Sequence, residues 1–298
     1  MSEKKGIYNL FVVCGTELFL FLLCLKGIGA IQSNVLYPLL DGIRDAQQYE
    51  FWYWAGYCSL FLLPTGAIWI YMWVTDRRVL STFAFKKGAG SALVIGSLGG
   101  AAMNMLCVLL AAATGCFRLT FSGFTPLTFV LVIFCSFTCI TEELFCRGYV
   151  QKYLNKHYPI EVAAGAGGIL FVFHHINNLQ YFGFNQFFVL NVFLIGLLFS
   201  LITLLTGSVW AAFGMHTLWN FNQQFIMGLP NSGASSCLSI FQGQDAVSGF
   251  FFDTTYGLEG TPGTTLVILV MLAILYLLYR KQQAAEGASA KSRSVGGN

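Results

Sequence analysis

The feature that most limits what this chain can fold into is a series of eight apolar runs, each about as long as a bilayer is thick. They cover roughly 7–30, 52–74, 89–113, 126–149, 162–178, 186–206, 208–228 and 264–279. A transmembrane helix needs about 20 mostly apolar residues. Only 10% of the residues are charged, and they form no basic face that would bind nucleic acid. We therefore predict an all-α, polytopic transmembrane helical bundle with about eight spans.

The placement of lysine and arginine predicts the orientation of the chain, because cytoplasmic segments are enriched in both residues. With the N-terminus inside, thirteen of them fall in inner segments and two, Arg44 and Arg118, fall in outer segments. Lys26 lies near the outer end of the first span and can snorkel. An even number of spans then places both termini in the cytoplasm of an integral, multi-pass protein whose first partner is the lipid bilayer.

Small residues are common within the apolar runs. Most of the nine cysteines lie there, and no CxxC occurs. A disulfide framework or a cysteine-based zinc site is therefore not expected, and the cysteines are interpreted as small hydrophobic residues. Gly96 and Gly100 form a small-xxx-small pair that would let two helices approach closely.

Ionisable residues inside the spans are costly unless they are paired or face a wet cavity, so those present indicate sites. Glu142, Glu143 and Arg147 follow the fourth apolar run. Glu143 and Arg147 are four apart and share a helical face with the favoured acid-first order. Glu142 points about 100° away from Glu143 and is free to face another partner. The alternative is that both acids are interfacial residues at a helix end.

Two histidine motifs lie on later spans. His174 and His175 end the fifth run, and adjacent helical residues point about 100° apart, so only one of them can face a given partner. His216 and Asn220 are four apart on the seventh span and share a face. The alternative for this pair is an ordinary hydrogen bond between helices. Glu17 is the main other intramembrane acid, and its position indicates no role.

The three motifs together resemble those of the CPBP family, the CAAX-protease and bacteriocin-processing membrane proteins, also called the Abi or type II CAAX prenyl endopeptidase family. Its signature is EExxxR, then FxxxH, then HxxxN or HxxxD. Here these are Glu142-Glu143…Arg147, Phe171…His175 and His216…Asn220, in that order, within roughly 125–230. The FxxxH spacing selects His175, and His174 is then a neighbour that faces another helix. HExxH, GxSxG and GxGD motifs are missing.

The resemblance implies a division of the chain into three parts. N-terminal transmembrane helices occupy 1–124, a CPBP-like catalytic core formed by the fourth to seventh spans occupies 125–230, and an outer loop, the last transmembrane helix and a polar cytoplasmic tail occupy 231–298. Stretch 207–230 looks like that of bacterial members, so a bacterial plasma membrane is the expected location. The substrates implied are CAAX-type prenylated tails and bacteriocin or signalling-peptide precursors.

The resemblance also implies roles for the motif residues. Peptide hydrolysis needs an activated water, a stabilised oxyanion and a proton for the leaving amine. Glu142 is expected to activate the water, with His175 sharing the water or its proton. His216 and Asn220 are expected to form an oxyanion hole, and Glu143 and Arg147 to shape the site. Because the family's substrates are generally cut from the cytoplasmic side, the cavity is expected to open inward.

Three alternatives remain open. Glu142, His175 and His216 could ligate zinc, although we expect no cofactor because no local two-ligand zinc motif occurs. The chain could be a non-catalytic bacteriocin-immunity or scaffold protein of the same fold that binds a peptide or a protease. A transporter would need inverted halves or broken helices, and the concentration of polar residues in the second half disfavours it.

Overall fold

A computed structural model describes residues 2–75 and 88–295, with side chains over 9–75 and 88–288. Nine long α-helices occupy this range: α1 (Ser2–Ile31), α2 (Ala46–Leu60), α3 (Leu62–Thr75), α4 (Ala89–Ala113), α5 (Pro126–Glu143), α6 (Ile160–His174), α7 (Gln186–Thr206), α8 (Val209–Phe221) and α9 (Pro262–Val295). Two four-residue strands, β1 (Arg118–Phe121) and β2 (Phe241–Gln244), pair antiparallel, with Arg118 opposite Gln244. The predicted all-α, polytopic bundle is confirmed.

Seven stretches of the described chain are long and apolar enough to cross a membrane. They are Asn9–Leu40, Ala46–Thr75, Ala89–Ala113, Pro126–Leu154, Ile160–Phe182, Gln186–Thr206 and Pro262–Ala288. These stretches match seven of the eight predicted spans, so the protein is an integral, multi-pass membrane protein. Of the basic residues behind the predicted orientation, Arg77, Arg78, Lys86 and Lys87 lie outside the described residues.

The remaining predicted span, 208–228, forms α8 and a π-helical continuation, Asn222–Ile226, and is not among the seven. Its polar residues lower its hydropathy: His216, Asn220, Asn222, Gln223 and Gln224. All of these except Asn220, which is partly buried, are buried in the protein. A helix that faces protein instead of lipid does not need an apolar surface, because neighbouring groups can satisfy its polar side chains.

Local sequence fixes the ends of the helices around this element. Gly207 adopts φ 64° and ends α7, and the Ser208 hydroxyl accepts a hydrogen bond from the Trp210 amide at 3.3 Å to begin α8. Thr125 caps α5 in the same way, with Pro126 at its first position. The polypeptide after α5 stays helical through a π-helical segment, Leu144–Gln151, and a last turn, Lys152–Leu154.

Helix α8 packs closely along α4, as the small-residue pair suggested. A Cβ atom added at Gly96 would meet the backbone of Ala211, and one added at Gly100 would meet the backbone of Met215. One turn after Gly100 on α4, the Asn104 amide donates a hydrogen bond to the Gln223 side chain at 3.0 Å. The absence of side chains at the two glycines therefore sets the distance between α4 and α8.

Segments 41–50 (the connection before α2 with its first turn), 115–125, 183–185 and 227–261 meet at one end of the bundle, which we call the loop face. Strands β1 and β2 pair there, the Glu50 carboxylate accepts from the Cys237 amide at 2.8 Å, and Asn185 donates to the Gly260 carbonyl at 3.1 Å. The opposite end, which we call the basic face, contains 152–159, 206–208 and 280–288. The two ends differ in charge: the basic face carries Lys152, Lys156, Arg280 and Lys281, whereas the loop-face segments carry only Arg44 and Arg118 as basic residues.

Candidate active site

One residue of each motif lines the same cavity. Glu142 on α5, His175 at the end of α6 and Asn220 on α8 lie around a space of about 590 Å³. All three side chains are partly exposed, whereas Glu143, Arg147 and His216 are buried. The structure therefore brings the three motifs together and separates their residues into a cavity wall and a buried layer behind it.

The FxxxH spacing fixes the orientation of His175. Its Nδ1 lies 2.9 Å from the Phe171 carbonyl oxygen. A carbonyl only accepts, so Nδ1 carries the proton, and Nε2 of the neutral ring keeps a lone pair. Helix α6 ends one residue earlier, and His175 adopts φ −97° and ψ 11°. The ring therefore sits where the helix breaks, with a proton acceptor available on its outer edge.

The buried layer is a charge network centred on Glu143. Arg147 Nη1 lies 3.3 Å from Glu143 Oε1, and both side chains are fully buried. Arg147 Nη2 also donates to the Gly196 carbonyl at 2.6 Å, and its guanidinium lies over the rings of Phe171 and Phe199 at 4.8 and 5.3 Å. The pairing predicted from the i,i+4 spacing is present, and it offsets the cost of burying each charge.

His216 lies between the two glutamates. Its Nδ1 is 3.1 Å from Glu143 Oε1, and its Nε2 is 3.9 Å from Glu142 Oε2. The ring stacks on Phe199 with a centroid distance of 5.0 Å. Both ring nitrogens therefore face carboxylates, and the side chain is not part of the cavity wall. Asn220, one turn later, is in that wall, and its amide donates to Cys139 Sγ at 3.7 Å.

The helix that carries the two glutamates changes its winding at the site. The α-helical hydrogen bonding of α5 stops at Glu143, and residues Leu144–Gln151 are π-helical and all buried. Wider turns of this kind occur often at functional sites. The sequence motifs contain no signal for this change, because the i,i+4 spacing of Glu143 and Arg147 is compatible with both windings.

Sequence reasoning found no partner for Glu17, and the structure supplies one. Glu17 Oε1 lies 2.6 Å from His174 Nε2, with both side chains fully buried. The His174 ring stacks on Phe21 with a centroid distance of 3.6 Å. His174 thus faces α1, as the FxxxH spacing implied. Because it directly precedes His175, this contact connects α1 to the helix end that carries His175. A lone acid in an apolar run and a second histidine were the available signals.

The possible metal ligands of the described chain do not converge where the zinc alternative needs them. Ligand atoms of three such residues come within 4.8 Å of one another at Glu17, Cys146 and His174. Even there, His174 offers Nε2 to Glu17 and Nδ1 to Cys146, at 4.0 Å, so one ion cannot replace both contacts. Glu142, His175 and His216 are not such a group, although His216 Nε2 lies 3.9 Å from Glu142 Oε2.

Comparison with known proteins identifies the part of the chain that holds this site. Neither the curated proteins nor the solved structures include a significant match. Residues 124–222, which contain all three motifs, match the family model described as type II CAAX prenyl endopeptidase Rce1-like. This match bears out, for this third of the chain, the family resemblance that the EExxxR, FxxxH and HxxxN motifs indicated.

Proposed function

We propose that this protein is an intramembrane endopeptidase that hydrolyses a peptide bond of a membrane-associated substrate with a water activated by Glu142. The observation that carries the proposal is the convergence of Glu142, His175 and Asn220 on one cavity. Its volume of about 590 Å³ lies in the range of ligand sites, roughly 300–1,000 Å³. The match to a protease family supports this reaction class.

Glu142 supplies the base. Its carboxylate accepts a proton from water while the water oxygen attacks the scissile carbonyl carbon, and an oxyanion forms. Glu142 then gives that proton to the amide nitrogen as the carbon–nitrogen bond breaks, so the amine leaves neutral. Glu142 Oε2 is buried, has no hydrogen-bond partner among the described residues and lies 3.9 Å from His216 Nε2, so in our proposal the other oxygen, Oε1, meets the water.

His175 and Asn220 act on the same reacting groups. The lone pair on His175 Nε2 accepts a hydrogen bond from the attacking water and orients it. The Asn220 amide donates to the oxyanion, because its present partner, Cys139 Sγ at 3.7 Å, is a weak acceptor that a substrate oxygen can replace.

His216, Glu143 and Arg147 position Glu142. In our proposal His216 holds the two carboxylates apart through its two ring nitrogens instead of donating to the oxyanion. Arg147 anchors Glu143 to the backbone of α7. This arrangement keeps the Glu142 carboxylate at the cavity, with His216 Nε2 at 3.9 Å and no arginine or lysine among the residues that line the cavity.

The substrate in this proposal is a CAAX-type prenylated tail or a bacteriocin or signalling-peptide precursor. We place the protein in a bacterial plasma membrane with both termini in the cytoplasm.

The proposed reaction needs no metal. We expect the purified protein to keep its cleavage activity after treatment with 1,10-phenanthroline and EDTA, and to contain no stoichiometric zinc by mass spectrometry. Activity that disappears with the chelator and returns with added zinc would contradict the glutamate mechanism.

The decisive experiment compares the peptide termini in membranes of cells that express wild type, Glu142→Ala or Glu161→Ala. Glu161 is an exposed acid at the start of α6, far from the cavity lining, and serves as the matched control. New termini with wild type and Glu161→Ala, absent with Glu142→Ala, would support the protease and identify its substrate. Identical termini for three stable, inserted proteins would favour the immunity or scaffold function.

A further inference from the structure

We propose that Glu17 on α1 is a positioning residue for His175 and that it acts through His174. This inference rests on the proposed peptidase function and adds to it a helix outside residues 124–222, the region that matches the family model. The contacts run from the Glu17 carboxylate to the His174 ring, then along the last turn of α6 to His175.

The position of Glu17 is the first observation. It is the only acid within Asn9–Leu40, a stretch apolar enough to cross a membrane, where an ionised side chain is costly. Its side chain is fully buried, and Oε1 lies 2.6 Å from His174 Nε2. A pair of apolar side chains would join the two helices as well or better, because desolvation of buried charges often exceeds their attraction. Attachment of α1 alone therefore does not account for an acid at this position.

The His174 ring is held by groups from two elements besides its own helix. It stacks on Phe21 of α1 with a centroid distance of 3.6 Å, and the Phe145 ring meets it edge-on at 6.0 Å. Its Nδ1 lies 4.0 Å from Cys146 Sγ. An ionised carboxylate only accepts, so His174 Nε2 carries the proton that it donates to Glu17. Glu17 thus fixes both the rotation of the ring and its tautomer.

The last turn of α6 transmits this contact to the cavity. His174 is the final residue of the helix, and His175 follows as its cap. The His175 amide donates to the Val172 carbonyl at 3.0 Å, and His175 Nδ1 donates to the Phe171 carbonyl at 2.9 Å. Both hydrogen bonds require that this turn stays helical, and the anchored His174 side chain holds the turn against α1. The lone pair on His175 Nε2 therefore keeps its direction.

Three parts of the site meet at His174. Phe145 and Cys146, which contact its ring, belong to the π-helical segment Leu144–Gln151 that follows the two glutamates. His174 itself lines the cavity beside His175. Helix α1 also forms part of the cavity wall, through Leu25, Ile28 and Gly29. A change at Glu17 is therefore expected to reach the reacting groups, although Glu17 does not touch the cavity.

A double-mutant cycle separates positioning from general destabilisation. For the peptide identified by terminus mapping, Glu17→Ala should lower kcat by up to about 10²-fold, the effect of a small displacement of a catalytic group. The value of KM should stay within about twofold, because substrate binding is not altered. Glu17→Gln should recover most of the loss, since its amide oxygen still accepts from His174. In a His175→Ala background, Glu17→Ala should not lower kcat further, because residues that act as a unit are not additive.

The matched control is Glu161→Ala, which removes an exposed acid from the helix that carries both histidines. It should leave kcat unchanged in both backgrounds, with every rate measured at a temperature where the variant is folded. Wild-type kcat in Glu17→Ala, or an equal loss from Glu17→Ala in both backgrounds, would overturn the proposal.

A measurement that needs no catalysis separates this inference from the proposed function. In nuclear magnetic resonance spectra of protein with isotope-labelled histidine, His175 should be a single Nδ1–H tautomer in wild type and in Glu161→Ala. In Glu17→Ala it should become a mixture of tautomers, while the exposed His157 stays unchanged. An unchanged His175 tautomer in Glu17→Ala would overturn the inference even in an active peptidase. A mixture in Glu17→Ala, with no cleavage by wild type, would support the positioning contact and reject the peptidase.

Discussion

Glu142 and Glu143 are neighbours in the sequence, but their side chains have different surroundings. Glu142 lies at the cavity and has no arginine partner, whereas Glu143 is fully buried and paired with Arg147 and His216. One acid is therefore suited to chemistry and the other to structure. This difference can be tested because replacing each by glutamine removes the charge with little change in shape.

We expect Glu142→Gln to lower the cleavage rate by about 10²- to 10⁴-fold, the usual contribution of a general base, with an unfolding temperature near that of wild type. Glu143→Gln should instead unfold at a lower temperature, because breaking a buried ion pair from one side costs about 3–5 kcal/mol. The measurements are cleavage of the substrate found by terminus mapping and thermal unfolding in detergent. Equal activity of Glu142→Gln and wild type would exclude Glu142 as the base.

Glu17 and His174 form a second buried pair at the residue scale. We expect Glu17→Ala to destabilise the protein by about 1–3 kcal/mol, because His174 would keep a buried polar nitrogen without its partner. Glu17→Gln should be milder, since its amide can still hydrogen-bond to the ring. Thermal unfolding in detergent measures both variants.

Glu286→Ala is the matched control for Glu17, because this acid is exposed near the C-terminal end of α9. Its unfolding temperature should equal that of wild type. If Glu17→Ala unfolds at the same temperature as Glu286→Ala, then the contact between Glu17 and His174 contributes little to the attachment of α1.

Among the elements, α4 and α8 pack with their backbones close together, and the glycines that permit this make a direct test. Gly100→Ala would drive a methyl group into the backbone of Met215, so we expect a loss of about 1–3 kcal/mol in stability from overpacking. Gly90 lies on the same helix with no atom within 4 Å of an added Cβ. Gly90→Ala should be neutral, or stabilising by up to about 1 kcal/mol. Unfolding in denaturant that ranks the two variants equally would contradict this packing.

The elements also show which features the sequence could predict. Local spacing was sufficient for the Glu143–Arg147 pair and for the close approach at Gly96 and Gly100. The choice of His175 over His174 needed the FxxxH motif of the family that the chain resembles. The contact between Glu17 and His174 spans 157 positions, and no periodicity encodes a contact between distant helices. The π-helical turn after Glu143 was equally invisible, because it depends on the tertiary packing of buried residues.

At the scale of the whole molecule, α8 decides the topology. Seven stretches of the described chain qualify as spans by length and apolarity, and seven crossings alone would place the termini on opposite sides. However, α8 begins at the basic face beside Gly207, and its π-helical continuation ends at the loop face. Its 18 residues from Val209 to Ile226 extend about 27 Å at 1.5 Å per residue, close to the bilayer core of about 30 Å. It therefore makes an eighth crossing inside the protein.

Eight crossings predict that both termini lie on the same side, and the lysine and arginine distribution predicts that this side is the cytoplasm. Green fluorescent protein fused to either end should therefore fluoresce, because it folds poorly after export. Alkaline phosphatase at the same two positions should be inactive, which makes it the reciprocal control. Fluorescence at one end with phosphatase activity at the other would mean that α8 does not cross. Phosphatase activity at both ends would keep the eight crossings but reverse the molecule.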